Sequence, residues 1–149
     1  ALSIAEGSGV PLTFFDSSRN RTVTALVCAS PSRPDLIMFA HGGGLTAHDY
    51  DYLCEELTVA RLVSPSTDDP MDLELLAADL AFLGRVLPPQ SRNASSPLAH
   101  SKGLVLAGHS MGAAAALLAA RRIPDAPVAA FAPGFWGPAQ SKLLEGLAG

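Results

Sequence analysis

Apolar residues along the chain occur in short runs that predict strands, separated by polar turns and by segments with helical spacing. Residues 10–15 and 22–29 are predicted to form two strands, joined by the polar turn DSSRNR at 16–21. The continuous apolar runs at 36–40 and 128–132 are typical of strands buried on both faces of a sheet. The pattern therefore predicts a sheet with an apolar interior.

Helical segments lie between these strands. Thr46 predicts a helix start, because Asp49 three residues later nearly completes a capping box. A strand at 59–63 follows after a very short link, which lacks the glycine stop typical of a helix end. A second helix is predicted at 72–87, where leucines repeat at helical spacing (Leu73, Leu76, Leu80, Leu83 and Leu87).

The second half of the chain repeats the order of strand and helix. After a linker-like loop at 88–97, the pattern predicts a strand at 104–107, a turn around Ser110 and a helix at 112–122, with a last short helix at 141–147. Strands that alternate with helices are typical of an α/β fold. We therefore expect a mostly parallel sheet with flanking helices, in a single domain over residues 1–149.

Composition narrows the class of protein. The 149 residues are 48% apolar and 16% charged, which favours one packed core over disorder. The net charge is −4 and no basic run is present, so nucleic acid is not an expected partner. The apolar runs are too short for a membrane span, and none is expected.

The two cysteines, Cys28 and Cys54, are too few for a disulfide framework or a metal site. We expect both to be buried free thiols, since a free cysteine behaves as a small apolar residue. A single disulfide between them stays open as the alternative.

The stretch Gly108-His109-Ser110-Met111-Gly112 fits the pattern G-x-S-x-G. A nucleophilic serine needs a strained turn that lifts its Oγ above the sheet edge, and glycine two residues on either side avoids clashes. The following helix directs its N-terminus at the serine and favours developing negative charge. We therefore expect Ser110 to be a nucleophile and the Met111 N–H to be an oxyanion donor.

HGGG at 41–44 directly follows the strand at 36–40. In lipases and esterases a motif of this kind supplies the other oxyanion N–H. We expect Gly43 to be this donor, with Gly44 and Leu45 as neighbouring substrate contacts. A phosphate-binding loop is the competing use of glycine, but the G-x-G-x-x-G spacing and the Walker lysine are missing.

Taken together, these motifs resemble the α/β-hydrolase superfamily. The chain is most similar to the branch that holds dienelactone-hydrolase-like esterases, chlorophyllases, platelet-activating-factor acetylhydrolases and polyester hydrolases. The resemblance covers about residues 10–135 and is carried by five segments: DSSRNRTV (16–23), LIMFAHGGG (36–44), residues 50–53, LLAADLAFL (75–83) and AGHSMGAAAA (107–116).

The resemblance implies hydrolysis of a small-molecule or lipid-like carboxylic ester through an acyl-serine intermediate, with no metal and no cofactor. It implies that Ser110 is the nucleophile and that the N–H groups of Gly43 and Met111 form the oxyanion hole. Phe135 or Trp136, which follow the last predicted strand, are candidates to line the acyl pocket, and an ordinary core position is the alternative for the tryptophan.

The acid and the base of such a site are not identifiable in the sequence. In this superfamily the acid and then the histidine follow the serine. After Ser110 the acidic residues are Asp125 and Glu145, and no histidine follows. Asp125 is expected at the far edge of the sheet, and Glu145 in the terminal helix.

None of the four histidines is expected to act as an ordinary triad base. His41 is expected to make a structural hydrogen bond, and His109 to be buried and to point away from Ser110, since neighbouring strand residues face opposite sides. His100 precedes the strand that ends at Ser110, about 30 Å away. His48 is expected on the surface near a helix start and is the remaining candidate for a surrogate base.

The sequence therefore contains the nucleophile half of a site and lacks the acid–base half. The leading interpretation is the N-terminal part of a serine esterase that lacks the last strands of the fold. A non-catalytic binding or interaction module and a site completed by a second chain are the alternatives. An incomplete sheet exposes an apolar edge, so self-association is also expected.

Overall fold

A sheet of six strands organises residues 9–63 and 73–132, which are the residues that the computed structural model describes. The strands are β1 Val10–Asp16, β2 Arg21–Cys28, β3 Asp35–Ala40, β4 Thr58–Val63, β5 Lys102–His109 and β6 Val128–Phe131. The predicted strands are confirmed, with bounds that differ by no more than two residues.

The sheet is mostly parallel, as predicted. Its order is β1-β2-β4-β3-β5-β6. β3 pairs in parallel with β4 and β5, and β5 pairs in parallel with β6. β1 and β2 form an antiparallel hairpin, and β2 is antiparallel to β4. The carboxyl ends of β3 and β5 therefore lie side by side, which brings the HGGG loop next to the Ser110 turn.

Two α-helices, α1 Leu73–Val86 and α2 Met111–Ala120, pack in one core against the sheet. The leucines that predict α1 are buried in this core, and complete burial of one leucine stabilises the fold by about 1.5–3 kcal/mol. α2 is rich in alanine, so it can pack closely on several sides at once. The helix predicted at 112–122 is confirmed, since α2 covers Met111–Ala120.

A smaller apolar cluster packs around a third helix, the 3₁₀ helix η1 Ala47–Glu55. Its predicted start is confirmed, because the Asp49 carboxylate accepts hydrogen bonds from the Thr46 N–H at 2.7 Å and from the Thr46 hydroxyl at 3.2 Å. A 3₁₀ helix rises about 2.0 Å per residue, against about 1.5 Å in an α-helix. This longer rise explains how η1 reaches β4 with only a short link.

A buried carboxylate joins the β1–β2 hairpin to α1. Asp79 of α1 is 0% exposed and lies 2.8 Å from Arg19 Nη1 and 2.9 Å from Arg21 Nη2. Burial raises the pKa of Asp79, and the two guanidinium groups oppose this shift. In the turn itself, hydrogen bonds from Ser18 and Arg19 lower the pKa of Asp16 to about 2.

The expectation of free thiols is wrong, because Cys28 and Cys54 form a disulfide. Cys28 ends β2, and Cys54 lies near the end of η1, so the bond attaches η1 to the sheet. The two Cα atoms are 5.6 Å apart, which is a normal separation for a disulfide. The pairing depends on how η1 folds back over the sheet, and the sequence between two cysteines at a separation of 26 does not reveal this.

β6 is less buried than its apolar sequence predicts. Ala130 and Phe131 are exposed, because β6 is the last strand in the order of the described sheet. Self-association through this edge stays a prediction. Part of the predicted linker at 88–97 forms a second 3₁₀ helix, η2 Pro88–Arg92. The helix predicted at 141–147 lies outside the described residues.

Within the described ranges, none of the helices has the length and apolar character that a membrane span requires.

Candidate active site

Ser110 occupies the sharp turn between β5 and α2. Its backbone has φ +56° and ψ −119°, a strained conformation that costs a non-glycine residue about 1–3 kcal/mol. The turn is held by a hydrogen bond from the Ser110 N–H to the Phe131 carbonyl at 3.0 Å. The Ser110 carbonyl in turn accepts the Ala113 N–H at 3.0 Å, within the first turn of α2. Strain of this kind persists where the surroundings enforce it, which is common at functional sites.

Glycine is required at both positions two residues from Ser110. A Cβ atom on Gly108 would overlap the carbonyl of Gly112, and a Cβ atom on Gly112 would overlap the carbonyls of Ala40 and His41. These obstacles are backbone atoms, which cannot rotate away. The ends of β3 and β5 and the first turn of α2 are therefore packed at backbone distance.

Replacement of Gly112 by alanine is expected to lower the free energy of unfolding by about 1–3 kcal/mol, because the added methyl group forces α2 away from β3. Gly84→Ala in α1 is the matched control. Its added Cβ meets side-chain atoms of Ile123 and Leu104, which can adjust. Urea unfolding of both variants measures the difference, and equal losses of stability would contradict the close packing of backbone at Gly112.

The HGGG loop turns directly beside the serine. A Cβ atom built on Gly42 would lie 3.3 Å from the Cβ of Ser110, so the loop and the serine are in contact. The Gly42 carbonyl accepts the Leu45 N–H at 3.1 Å and lies 2.9 Å from Nδ1 of the buried His41. The structural hydrogen bond expected of His41 is thereby confirmed.

The predicted oxyanion donors differ in their surroundings. Gly43 is half-buried, whereas Gly44 is exposed and has φ +75°, a conformation that suits glycine. The Leu45 side chain is 39% exposed, and its N–H is used within the loop. Met111 is the first residue of α2, so its N–H has no acceptor inside the helix. Phe135 and Trp136, the predicted pocket residues, lie outside the described residues.

Tyr50 is a residue of this region that the sequence interpretation missed. It is 5% exposed, and its ring packs against Phe39 with centroids 4.6 Å apart. Its hydroxyl accepts the Gly42 N–H at 3.2 Å and lies 2.8 Å from His109 Nδ1. Burial raises the pKa of Tyr50, so the hydroxyl keeps its proton and can donate it in a hydrogen bond to His109. The spacing of three residues from the buried Ala47 is the sequence signal for its burial, because residues three apart share a face of a helix.

The described histidines are engaged elsewhere or lie far from the serine. His109 is half-buried rather than buried, and Tyr50 binds its Nδ1 atom. The side chain of His48 is 64% exposed, with Nδ1 3.5 Å from the Asp51 carboxylate. His100 precedes β5, at the end of the strand opposite to Ser110. No hydrogen bond joins Ser110 to any of these described histidines.

The two acidic residues after Ser110 do not complete a site in the described structure. Asp125 precedes β6 and lines the same surface hollow as Gly103, at the amino end of β5. This position agrees with the expected far edge of the sheet. Glu145 lies outside the described residues. Among residues 9–63 and 73–132, no three His, Cys, Asp or Glu side chains lie together as metal ligands do.

Comparison with known proteins agrees with this geometry. The Esterase family model matches residues 76–145, a stretch that contains most of α1 and all of β5, Ser110 and α2. No curated protein matches the chain significantly.

Several solved structures share the fold at low sequence identity. The dienelactone hydrolase of Anabaena variabilis is 20% identical, with a TM-score of 0.57 over 79% of this chain and 60% of that one. A bacterial membrane phospholipase A, described as a virulence factor, is 20% identical, with a TM-score of 0.55 over 81% and 38% of the two chains. The esterase Est22 is 13% identical, with a TM-score of 0.58 over 89% and 48%.

The chain spans 38–60% of the length of these structures. At 13–20% identity the likeness concerns the fold, and it extends over 79–89% of this chain. The strand order, the serine turn and these matches together confirm the predicted resemblance to the α/β-hydrolase superfamily, and the chain has the α/β-hydrolase fold.

Proposed function

We propose that this chain carries the nucleophile and the oxyanion site of a serine hydrolase that cleaves carboxylic esters. The observation that carries the proposal is the strained backbone of Ser110, at φ +56°, between β5 and the first turn of α2. The close approach of the HGGG loop supports it, because a Cβ atom added to Gly42 would lie only 3.3 Å from the serine Cβ. The name of the matching Esterase family agrees with this chemistry.

The proposed reaction proceeds through an acyl-serine. Ser110 Oγ attacks the ester carbonyl carbon while a base takes the hydroxyl proton, and the carbonyl oxygen becomes an oxyanion. The N–H groups of Gly43 and Met111 donate to this oxygen, and the N-terminus of α2 favours its negative charge. The alcohol then leaves with a proton. Water hydrolyses the acyl-serine to a carboxylic acid and restores the serine hydroxyl.

Gly43 is the better donor on the loop because the N–H groups of two other loop residues are already hydrogen-bonded. The Gly42 N–H is bound to the Tyr50 hydroxyl, and the Leu45 N–H is bound to the Gly42 carbonyl. The Gly44 N–H remains as the alternative. Its greater exposure makes it the weaker donor, since an oxyanion bond gains strength where water is excluded.

The base comes from outside the described histidines in this proposal. None of the described histidines is hydrogen-bonded to Ser110, and no histidine follows Ser110 in the sequence. The proposed reaction therefore needs a histidine and an acid that the described residues do not bring to Ser110. The exposed apolar side chain of Leu45, beside the loop, suits a small-molecule or lipid-like ester.

A non-catalytic binding module is the second candidate function. The observation that favours it is that Ser110 makes no hydrogen bond to a described histidine or carboxylate. In such a module the serine turn serves only the packing of α2, and the serine hydroxyl has ordinary reactivity. The two candidates therefore differ in the reactivity of one hydroxyl group.

Trapping of Ser110 tests the proposed function. The 149-residue chain is incubated with diisopropyl fluorophosphate, and the modified residue is located by peptide mass spectrometry. We expect slow labelling confined to Ser110, in which an Oγ–P bond forms and fluoride and a proton leave. Ser110→Ala is the control and is expected to remain unlabelled. Labelling spread evenly over surface serines, or none at Ser110, would favour the non-catalytic module.

A further inference from the structure

We propose that Tyr50 is the positioning residue of the oxyanion loop. In this role, which rests on the proposed function, Tyr50 touches no substrate and acts through Gly42 and the next peptide group. Its hydroxyl stands between two groups at the site, the Gly42 N–H at 3.2 Å and His109 Nδ1 at 2.8 Å. The hydrogen bond to Gly42 attaches the loop to η1, and the hydrogen bond to His109 attaches Tyr50 to the end of β5.

The direction of these two bonds follows from the chemistry of the groups. A backbone N–H can only donate, so the Tyr50 oxygen accepts from Gly42 and its own proton is free for His109. His109 Nδ1 therefore accepts, which assigns the ring proton of the neutral imidazole to Nε2. The raised pKa of Tyr50 keeps the phenol protonated, so the donor is retained at neutral pH.

Fixing Gly42 also orients the neighbouring donor. The Gly42 carbonyl is held by the Leu45 N–H and by His41, at 3.1 Å and 2.9 Å. The carbonyl of Gly42 and the N–H of Gly43 belong to one trans peptide plane and point in opposite directions. Because the N–H and the carbonyl of Gly42 are both hydrogen-bonded, the Gly43 N–H is turned away from the loop interior and cannot rotate freely.

Tyr50 can fulfil this role because η1 is firmly attached to the sheet. The Cys28–Cys54 disulfide holds its last turn. Arg61 of β4 is 0% exposed, donates from Nη1 to the Ala47 carbonyl at 3.1 Å and pairs with Asp51. These bonds act on both sides of Tyr50 along η1, so the position of its hydroxyl is set by the sheet.

Tyr50→Phe tests the proposal, with Tyr52→Phe as the matched control. Both variants remove one phenolic hydroxyl from the same helix, but Tyr52 is 61% exposed and none of the structure's hydrogen bonds at the loop involves it. In Tyr50→Phe we expect amide exchange of Gly42, measured by NMR, to quicken about tenfold. We expect the rate of Ser110 labelling by diisopropyl fluorophosphate to fall about tenfold. Tyr52→Phe should change neither rate.

The amide of Ser110 provides an internal reference. Its bond to the Phe131 carbonyl does not involve Tyr50, so its exchange should be the same in both variants. Faster exchange at Ser110 and Gly42 alike would mean a general loss of stability and would overturn the specific role. Unchanged exchange at Gly42 would also overturn it.

Variants of His109 give a second, independent test. Asparagine carries a polar atom near the position of Nδ1, whereas leucine does not. We expect His109→Asn to keep the slow exchange of Gly42 and His109→Leu to lose part of it. Equal exchange in both variants would remove His109 from the proposal. If Ser110 is not labelled in any variant, the proposed function fails, and exchange at Gly42 still decides the role of Tyr50.

Discussion

Hydrolysis of p-nitrophenyl butyrate by the 149-residue chain is expected to be about 10⁶-fold slower than by an enzyme with a complete Ser–acid–His site. Loss of the histidine alone has an effect of about this size in the serine protease studied most fully. Here none of the described histidines is hydrogen-bonded to Ser110, and no histidine follows Ser110 in the sequence. Without a base the serine hydroxyl reacts only slowly, and the oxyanion site and the N-terminus of α2 are the only assistance that remains.

Ser110→Ala should change this low rate very little. The members of a triad act as one unit, so removal of the serine costs little once the base is missing. Both proteins should retain a rate about 10³–10⁴-fold above water, from the oxyanion site and from binding. Initial rates for both chains at several substrate concentrations measure this directly.

A rate typical of enzymes that Ser110→Ala abolishes would contradict this prediction. It would mean that a base reaches Ser110 from His48 or from a second chain. His48→Ala separates the two sources, because it affects only the first. A concentration dependence of the specific rate identifies the second, since a shared site requires association. The same data would then test the predicted self-association at β6.

Much of the fold follows from local sequence patterns. β3 is a nearly continuous apolar run bounded by turn residues, and burial along most of its length leaves little else for such a run to form. The Ser110 turn is equally local. Glycine is required at 108 and 112 because backbone carbonyls would overlap a Cβ atom there. The motif alone therefore predicts the geometry of the turn. These features need no knowledge of distant contacts.

The features that were missed depend on contacts between distant parts of the chain. Tyr50 and Tyr52 look alike in sequence, yet one is 5% and the other 61% exposed. The difference arises because η1 packs on the sheet with the face that carries Ala47 and Tyr50, where the Tyr50 ring contacts Phe39 of β3. η1 is also kinked at Tyr50, which has φ −114° and ψ 22°, and a regular helical period does not predict this kink.

The exposure of β6 was missed for a similar reason. Its apolar sequence is that of an interior strand, whereas the described sheet has β6 at its edge. Sequence composition reports what a strand is suited to pack against. It does not show whether a strand pairs on each side, so the sequence predicts more burial for Phe131 than the structure has.

Removal of the Cys28–Cys54 disulfide is expected to lower the free energy of unfolding by about 3 kcal/mol. The bond closes a loop with a sequence separation of 26 residues, and cross-links of this length restrict the unfolded chain by about this amount. Small domains have a total stability of about 5–15 kcal/mol, so the loss is a large share. Urea unfolding of Cys28→Ser/Cys54→Ser, produced beside the oxidised chain, measures it.

Reduction provides the control for this variant. Dithiothreitol should destabilise the oxidised chain to the level of the double serine variant and should leave that variant unchanged. A reduced chain with two free thiols and undiminished stability would contradict the prediction.

The loss of stability should also be uneven along the chain, because the disulfide attaches η1 to the sheet and does not touch α2. Amide exchange should therefore quicken first in η1, and the Gly42 amide should follow, since Tyr50 holds the oxyanion loop from that helix.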